Sequence, residues 1–186
     1  DEHHAHPAAM VISDPDDGQD IAISHMIPRS VEGLKRRHEG FRIAAETSLG
    51  VMGRTPDYMN VTFAGFAADR CRWAGPEGSN EAGYENLVQF QRRLRRDDLA
   101  LTHTIVHPTI DKTTDGNFVD NPVPLHKVGE TSDAIVVRGA RMLATLAPFA
   151  DEQTVYPGAP LPPGASPDYA LSFTVAMDAP GLVFVC

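Results

Sequence analysis

The sequence has 186 residues, a formal net charge of −9 at pH 7 and two cysteines. A chain of this length can bury one hydrophobic core, or one full domain and part of a second. The acidic balance argues against a nucleic-acid partner, because phosphate binding depends on Lys and Arg, and it favours a small organic substrate or a protein partner. Cys71 and Cys186 have no metal-ligand spacing, so we expect no metal site and a reducing, cytoplasmic setting. No apolar stretch has the length of a membrane span.

A β-hairpin near residues 10–24 is the first predicted element. Two short runs of alternating residues, 10–13 and 21–24, flank the turn-forming segment Asp14-Pro15-Asp16-Asp17-Gly18. Three histidines precede the hairpin, and we interpret them as part of a flexible terminus because no second set of metal ligands accompanies them. They are His3, His4 and His6.

Apolar residues at helical spacing predict a first long helix, which begins after the capping residue Ser30, and a further amphipathic helix over residues 81–96. The C-terminal end of that further helix carries four arginines, which complement the negative end of the helix dipole. We expect them to form a solvated face rather than a binding patch. They are Arg92, Arg93, Arg95 and Arg96.

Between these two helices, the segment 54–58 has the pattern of a helix start. Thr55 is predicted to cap the helix, Pro56 suits the first helical position, and Asp57 lies in the first turn, where a carboxylate is favoured. Arg54 just before the cap and Tyr58 one turn into the helix would place a cation and a phenol beside an anion-attracting helix terminus. The alternative is an ordinary capped helix with a surface arginine.

After residue 98 the sequence favours strands. Strands are predicted at residues 99–106, 134–137, 142–146, 154–156, 170–176 and 182–185, with a tight turn at Arg138-Gly139 and a proline-rich loop over 156–167. His103 and His107 lie four residues apart on the first strand and would share a face, although a lone histidine is more often structural. Helices followed by strands predict an α+β chain with two domains, 1–98 and 99–186. The last apolar run, followed by Cys186, indicates a piece of a longer protein.

The familiar nucleotide-binding and serine-nucleophile patterns G-x-G-x-x-G, G-x-x-x-x-G-K-[ST] and G-x-S-x-G do not occur. Three ordered blocks nevertheless resemble the 4-hydroxyphenylacetate 3-monooxygenase family, the oxygenase components of two-component flavin monooxygenases. The blocks are MGRTPDYMN (52–60), LTHTIVHPTIDK (101–112), and ET (130–131) with IVVRGARMLAT (135–145).

The resemblance implies an acyl-CoA-dehydrogenase-like fold, with an N-terminal helical domain, a central β-barrel domain and a C-terminal four-helix bundle that forms a tetramer. Family members are considerably longer, so this chain is expected to hold most of the first domain and part of the barrel, without the bundle. The family's flavin also contacts that C-terminal domain and a neighbouring subunit.

Site residues follow from the same resemblance. Arg54, Tyr58 and His103 match the residues around the substrate phenol and the reactive edge of the flavin, which makes them the catalytic candidates. Thr55, Pro56 and Asp57 belong to the same substrate-binding segment. FAD contacts are implied for His103, Thr104, Ile105, Thr109, Ile110, Asp111, Lys112 and Thr145. At His107 relatives often have Asn, so His107 is expected to act only through a neighbouring residue.

The implied activity is ortho-hydroxylation of a phenol such as 4-hydroxyphenylacetate, with O2 and with FADH2 supplied by a separate NAD(P)H-dependent reductase. Some relatives release halide from chlorophenols, and others act on tyrosine tethered to a carrier protein. A 4-hydroxybutyryl-CoA dehydratase shares the fold but needs cysteines and a histidine for an iron–sulfur cluster, and Cys71 is the only cysteine in the helical half. The non-enzymatic alternative is an inactive segment that serves only in assembly.

Overall fold

A computed structural model describes residues 7–51, 55, 57–108 and 118–185 and shows two compact units, residues 1–100 and 101–186. The chain has a mixed fold in which helices precede most of the strands, as the sequence predicts. The N-terminal histidines and Cys186 lie outside the described residues. In the part of the chain that is described, no helix is both long enough and apolar enough to span a bilayer.

The first unit consists of helices and one hairpin. Its elements are α1 (Pro7–Met10), β1 (Val11–Ser13), β2 (Asp20–Ala22), α2 (Val31–Thr47), α3 (Tyr58–Ala68), α4 (Arg70–Trp73) and α5 (Glu81–Arg96), with 3-10 turns at Ile23–His25 and Pro76–Gly78. The hairpin and the bounds of α5 confirm the sequence predictions. The short helix α4 and the two 3-10 turns were not predicted.

The segments on either side of the hairpin pack closely against α2. Strands β1 and β2 pair antiparallel, with Ile12 opposite Ile21, and the 3-10 turn that follows them is buried. A Cβ on Gly40 of α2 would lie 2.7 Å from the Ile23 side chain and 3.0 Å from the carbonyl oxygen of Ala9. This contact therefore requires glycine, which explains why a residue with poor helix propensity lies in the middle of the helix.

The two helix starts differ. Ser30 caps α2 as predicted, because its hydroxyl accepts a hydrogen bond from the Gly33 N–H at 3.0 Å. Helix α3 begins at Tyr58 with Asp57 as its cap, so the predicted start at Thr55 is wrong, and Tyr58 is the first helical residue rather than one turn in. The reason is that the Thr55 hydroxyl donates to the Asp57 carboxylate at 2.6 Å instead of accepting from a helix N–H.

Aromatic and aliphatic side chains join α3 to α5. The rings of Phe63 and Phe90 meet edge to face with centroids 4.9 Å apart. Met59 of α3 and Leu94 of α5 are almost fully buried, and the Tyr84 hydroxyl donates to the Ala67 carbonyl at 2.8 Å. This packing fixes the position of α3, the helix that follows the predicted substrate segment.

Arg95 corrects the expectation of a solvated arginine face. Its side chain is 9% exposed and donates to both carboxylate oxygens of Asp14, to Asp16 and to Gln91. Burial opposes ionisation of Asp14, but hydrogen bonds from Arg95 and from the Asp16 N–H outweigh it and hold the pKa of Asp14 below its usual value. The other three arginines of the cluster are exposed. One member is therefore a buried tie between α5 and the hairpin turn.

The second unit contains a mixed sheet and a separate hairpin. Its strands are β3 (Leu101–Thr104), β4 (His126–Glu130), β5 (Ile135–Arg138), β6 (Glu152–Val155) and β7 (Phe173–Ala176), with 3-10 turns at Ala147–Phe149 and Pro167–Tyr169. The sheet order is β3-β6-β7, with β3 parallel and β7 antiparallel to β6, and β4 pairs antiparallel with β5. Across the described residues these strands do not close into a barrel.

Two predicted strands are wrong, and one strand was missed. Met142 makes only an isolated bridge to Val106, and residues 143 and 146 have φ of 67° and 68°, which a strand does not allow. Residues 182–185 are apolar but pair with no strand among the described residues. Strand β4 was missed. After β5, Gly139 adopts a φ of 112° and lets the chain continue beside Pro124, so the predicted tight turn at Arg138-Gly139 is wrong.

Candidate functional site

The described residues place the predicted site in two groups, one in each unit. Thr55, Asp57 and Tyr58 belong to the first unit, and the second group belongs to the second unit. The second group comprises His103, Thr104, Ile105 and Thr145. Six predicted site residues lie outside the described part of the chain: Arg54, Pro56, Thr109, Ile110, Asp111 and Lys112.

The first group surrounds the start of α3. Tyr58 is partly buried, and the Asn60 N–H donates to the Asp57 carbonyl at 3.0 Å. The Asn60 side chain donates to the Ser24 hydroxyl at 3.1 Å, and both residues are buried. The first turn of α3 is therefore anchored to the 3-10 turn that follows β2.

His25 lies in that 3-10 turn and was not singled out from the sequence. It is 2% exposed, and neither ring nitrogen has a hydrogen-bond partner among the described residues. Burial lowers the pKa of His25 to about 4; the charge of Arg95 acts in the same direction, whereas Asp57 and Asp14 oppose it. A neutral imidazole is thus held near the start of α3. Only its position in an apolar run hinted at its burial.

The second group is built on β3, all four residues of which are buried. In the parallel pairing with β6, His103 lies opposite Thr154. The His103 ring stacks on Tyr156, with centroids 5.9 Å apart and planes at 23°. The imidazole is therefore fixed in orientation by a neighbouring aromatic ring.

Side-chain hydrogen bonds connect β3 to its neighbours. The Thr102 hydroxyl donates to the carbonyl of Thr145, and the Thr154 hydroxyl donates to the Thr102 carbonyl at 2.9 Å. Gln153 donates to the Thr104 hydroxyl at 3.1 Å. The structure thus brings together two segments that the sequence assigned to the cofactor, residues 103–105 and Thr145.

Arg141 lies beside the end of β3. Its Nη1 donates to the Ile105 carbonyl at 3.3 Å, and the Met142 N–H donates to the Val106 carbonyl at 2.9 Å. His107 packs edge to face on Phe118, with centroids 4.7 Å apart. Burial, and secondarily the charge of Arg141, lowers the pKa of His107, which favours the neutral form of the ring. Arg141 belongs to a motif recognised in the sequence, but no role was assigned to it.

These arrangements define the chemistry available to each unit. The first presents a phenol at a helix N-terminus, where partial positive charge favours an anion. The second presents an imidazole, threonine hydroxyls and a guanidinium, which are hydrogen-bonding groups of the kind that orient a polar heterocycle. No group of three His, Cys, Asp or Glu side chains suited to a metal ion occurs within the described ranges.

Comparisons with known proteins point to one family. The family described as "4-hydroxyphenylacetate 3-hydroxylase N terminal" matches residues 1–186. The 4-hydroxyphenylacetate 3-monooxygenase oxygenase component of Thermus thermophilus is 37% identical over 177 residues, which is 95% of this chain and 35% of that protein. The chain therefore spans about a third of the length of this relative.

Solved structures agree with the sequence match. A crystal structure of the oxygenase component of 4-hydroxyphenylacetate 3-monooxygenase, complexed with FAD and 4-hydroxyphenylacetate, superimposes with a TM-score of 0.81 at 34% identity and covers 96% of this chain and 36% of that one. An oxygen-tolerant archaeal 4-hydroxybutyryl-CoA dehydratase from N. maritimus gives a TM-score of 0.77 at 15% identity, covering 96% and 35%. At that identity the likeness shows a shared fold alone.

Proposed function

Because the chain belongs to the 4-hydroxyphenylacetate 3-hydroxylase N-terminal family, we propose that it is part of the oxygenase component of a two-component monooxygenase. The enzyme ortho-hydroxylates a 4-hydroxyphenylacetate-like phenol with O2 and FADH2. A separate NAD(P)H-dependent reductase supplies the reduced flavin. The observation that carries this proposal is the family match over all 186 residues.

The architecture of the longer protein is part of the proposal. Residues 1–98 form the helical N-terminal domain and residues 99–186 form part of a β-barrel, as in an acyl-CoA-dehydrogenase-like fold. A helix bundle in the remainder of the protein assembles a cytoplasmic homotetramer and completes the flavin site. The likeness to two enzymes at TM-scores of 0.81 and 0.77 supports the part of this proposal that concerns residues 1–186.

The donor chemistry of the second unit fits a flavin. Isoalloxazine carries carbonyl oxygens and ring nitrogens, which hydrogen-bond to hydroxyls, backbone amides and imidazole. Thr104, Ile105 and Thr145 offer such groups near His103, and a hydrogen bond from Thr102 holds the two segments together. In the proposal these residues and 109–112 hold the flavin. When bound, reduced FAD supplies the electrons that activate O2.

The protein side chains then prepare the phenol. The guanidinium of Arg54 stabilises the phenolate and lowers the pKa of the bound phenol, which makes the ring electron-rich at the ortho position. His103 holds or accepts the phenolic proton, since imidazole titrates near neutrality. Tyr58 donates a hydrogen bond to the substrate oxygen, and Thr55, Pro56 and Asp57 belong to the same substrate-binding segment. A pocket closed to water prevents the loss of activated oxygen as hydrogen peroxide before it reacts with the substrate.

Product analysis tests the activity. The full-length protein, a flavin reductase, NAD(P)H and a panel of phenols are incubated in air, and products are separated chromatographically. We expect a catechol from 4-hydroxyphenylacetate. Halide release from chlorophenols alone would replace the proposed substrate class with a dehalogenating one, and no product from any phenol would remove the proposal.

Arg54→Ala tests the mechanism. We expect a lower ratio of catechol formed to O2 consumed, with more hydrogen peroxide released, because the phenolate is less stabilised. Arg72→Ala is the control, since Arg72 is 78% exposed and pairs with Asp69, three residues away on the same segment. A variant at Arg54 with the coupling ratio of that control would exclude Arg54 from the mechanism.

A further inference from the structure

One edge of the Arg141 guanidinium is buried without a hydrogen-bond acceptor. Nη1 donates to the Ile105 carbonyl at 3.3 Å. Nε and Nη2 are both inaccessible to solvent, and no described residue accepts a hydrogen bond from either. These two nitrogens carry parallel N–H bonds on the same edge of the planar group, which is the edge that grips two oxygens of one anion.

Other arginines of this chain show what that edge takes. In four of them Nε and Nη2 donate to the two oxygens of a single carboxylate, for example Arg96 to Asp97 at 2.7 and 3.0 Å. The four pairs are Arg42 with Glu39, Arg70 with Glu81, Arg95 with Asp14, and Arg96 with Asp97. Arg141 presents the same edge, but no described carboxylate meets it.

Burial makes the unmet edge energetically significant. Desolvation lowers the pKa of Arg141, because the surroundings stabilise its positive charge poorly. Arg141 as a whole is half-buried, but the Nε/Nη2 edge is shielded from solvent, and a shielded cationic edge is retained where an anion completes it. His107 lies close enough for the Arg141 charge to depress its pKa, and its Nδ1 also lacks a partner among the described residues. A neutral hydrogen-bonding group therefore accompanies the guanidinium.

The position of Arg141 indicates which anion its Nε/Nη2 edge binds. Its side chain donates to the Ile105 carbonyl. The bridge between Val106 and Met142 pairs the next residue of each segment. The carbonyl of Thr145, four residues after Arg141, accepts a hydrogen bond from the Thr102 hydroxyl. Arg141 therefore contacts one of the described segments to which the proposed function assigns the flavin and lies four residues before the other in the chain.

We propose that the Nε/Nη2 edge of Arg141 binds a bidentate oxyanion, namely the diphosphate of the flavin dinucleotide, with His107 beside it. This inference rests on the proposed function for the identity of the ligand. The requirement for an oxyanion rests on the geometry of the second unit alone. Phosphate and carboxylate oxygens pair with this edge in the same way. A carboxylate from the remainder of the protein is therefore the competing ligand for Arg141.

The experiment compares flavins that differ only in phosphate. Dissociation constants of reduced FAD and of reduced riboflavin are measured anaerobically for full-length wild type, Arg141→Gln and Arg141→Lys. We expect the FAD constant to rise at least about tenfold in Arg141→Gln, and less in Arg141→Lys, which keeps the charge but loses the planar edge. Riboflavin binding should not change. Arg138→Gln is the matched control, because it removes the same charge at an exposed site on β5.

An unchanged FAD constant, or an equal loss for both flavins, would overturn the proposal. Inorganic diphosphate separates it from the proposed function: we expect this ion to raise the melting temperature of wild type but not of Arg141→Gln. If diphosphate stabilises the protein but no flavin binds, the result would support the oxyanion site and exclude the proposed monooxygenase function. No stabilisation of wild type, with Arg141→Gln already less stable than Arg141→Lys, would assign the edge to a carboxylate of the protein instead.

Discussion

His25 couples the stability of the first unit to pH. Its pKa is about 4 in the folded chain and 6.5 when unperturbed, so between these values the unfolded chain binds more protons than the folded one. Stability is therefore complete above pH 6.5 and falls as the pH drops toward 4. The slope is at most about 1.4 kcal/mol per pH unit.

We expect His25→Gln to flatten this dependence. Wild type should lose roughly 1.5 kcal/mol of unfolding free energy between pH 6.5 and pH 5 through this residue, and His25→Gln should lose correspondingly less. Chemical denaturation at both pH values measures the difference. His38→Gln is the control, because His38 is exposed on α2. Equal pH dependence in His25→Gln and wild type would show that the fold does not depress the pKa of His25.

Arg95 and Arg92 both lie on α5 and both pair with Asp16, but Arg95 is buried and also pairs with Asp14, whereas Arg92 is exposed. Arg95→Ala would leave Asp14, 5% exposed, without its cation and should cost about 3–5 kcal/mol of unfolding free energy. Arg92→Ala breaks a half-exposed pair with Asp16 at 2.9 Å and should cost less than about 1 kcal/mol. Asp14→Asn added to Arg95→Ala should recover part of the loss. Similar losses for the two single variants in denaturant titrations would refute the distinction.

At the scale of elements, we expect substitution of glycine by alanine to have opposite effects on stability in α2 and in α3. Gly40→Ala would drive a methyl group to 2.7 Å from the buried Ile23 side chain, at a cost of about 1–3 kcal/mol. Gly65 of α3 is exposed, and a Cβ there meets nothing within 4 Å, so Gly65→Ala should stabilise by about 0.5–1 kcal/mol. Thermal unfolding of the two variants decides the matter. A Gly40→Ala protein as stable as Gly65→Ala would mean that α2 and the 3-10 turn can separate without cost.

Helices were predicted from sequence more accurately than strands. The bounds of α5 match because its apolar spacing and its terminal arginines are local signals. The predicted strands at 142–146 and 182–185 have equally apolar sequences, but a strand needs a partner, and none of the described segments provides a ladder for either. Strand β4 was missed because its residues, HKVGE, carry little β propensity, and it forms through pairing with β5.

At the scale of the whole molecule, the chain spans about a third of the relatives' length. The family resemblance implies flavin contacts from the C-terminal domain and a neighbouring subunit. We therefore expect the 186-residue chain alone to bind reduced FAD at least about 100-fold more weakly than the full-length protein, a loss of roughly 3 kcal/mol. Anaerobic titration of both proteins is the measurement. Tight binding by the short chain would show that its two units suffice.

The candidate site was accessible from the sequence only in part. The motifs around residues 54–58 and 103–112 pointed to a family, and the structure adds that the 103–105 segment and Thr145 are joined through Thr102. The roles of Arg54, Tyr58 and His103 stay predictions. The unmet edge of Arg141 had no sequence signal, and the burial of His25 was indicated only by its position in an apolar run, since each depends on residues from distant segments.

The sequence by itself determined the order of helices before most strands, the Ser30 cap, the bounds of α5 and the membership of a family, because periodicity, capping and motifs are read from neighbouring residues. The tertiary structure alone decided that Arg95 is buried while Arg92 is exposed, and that the predicted strand at residues 142–146 does not form. Burial and strand pairing are set by contacts between residues far apart in the chain, such as Arg95 with Asp14, which no local pattern encodes.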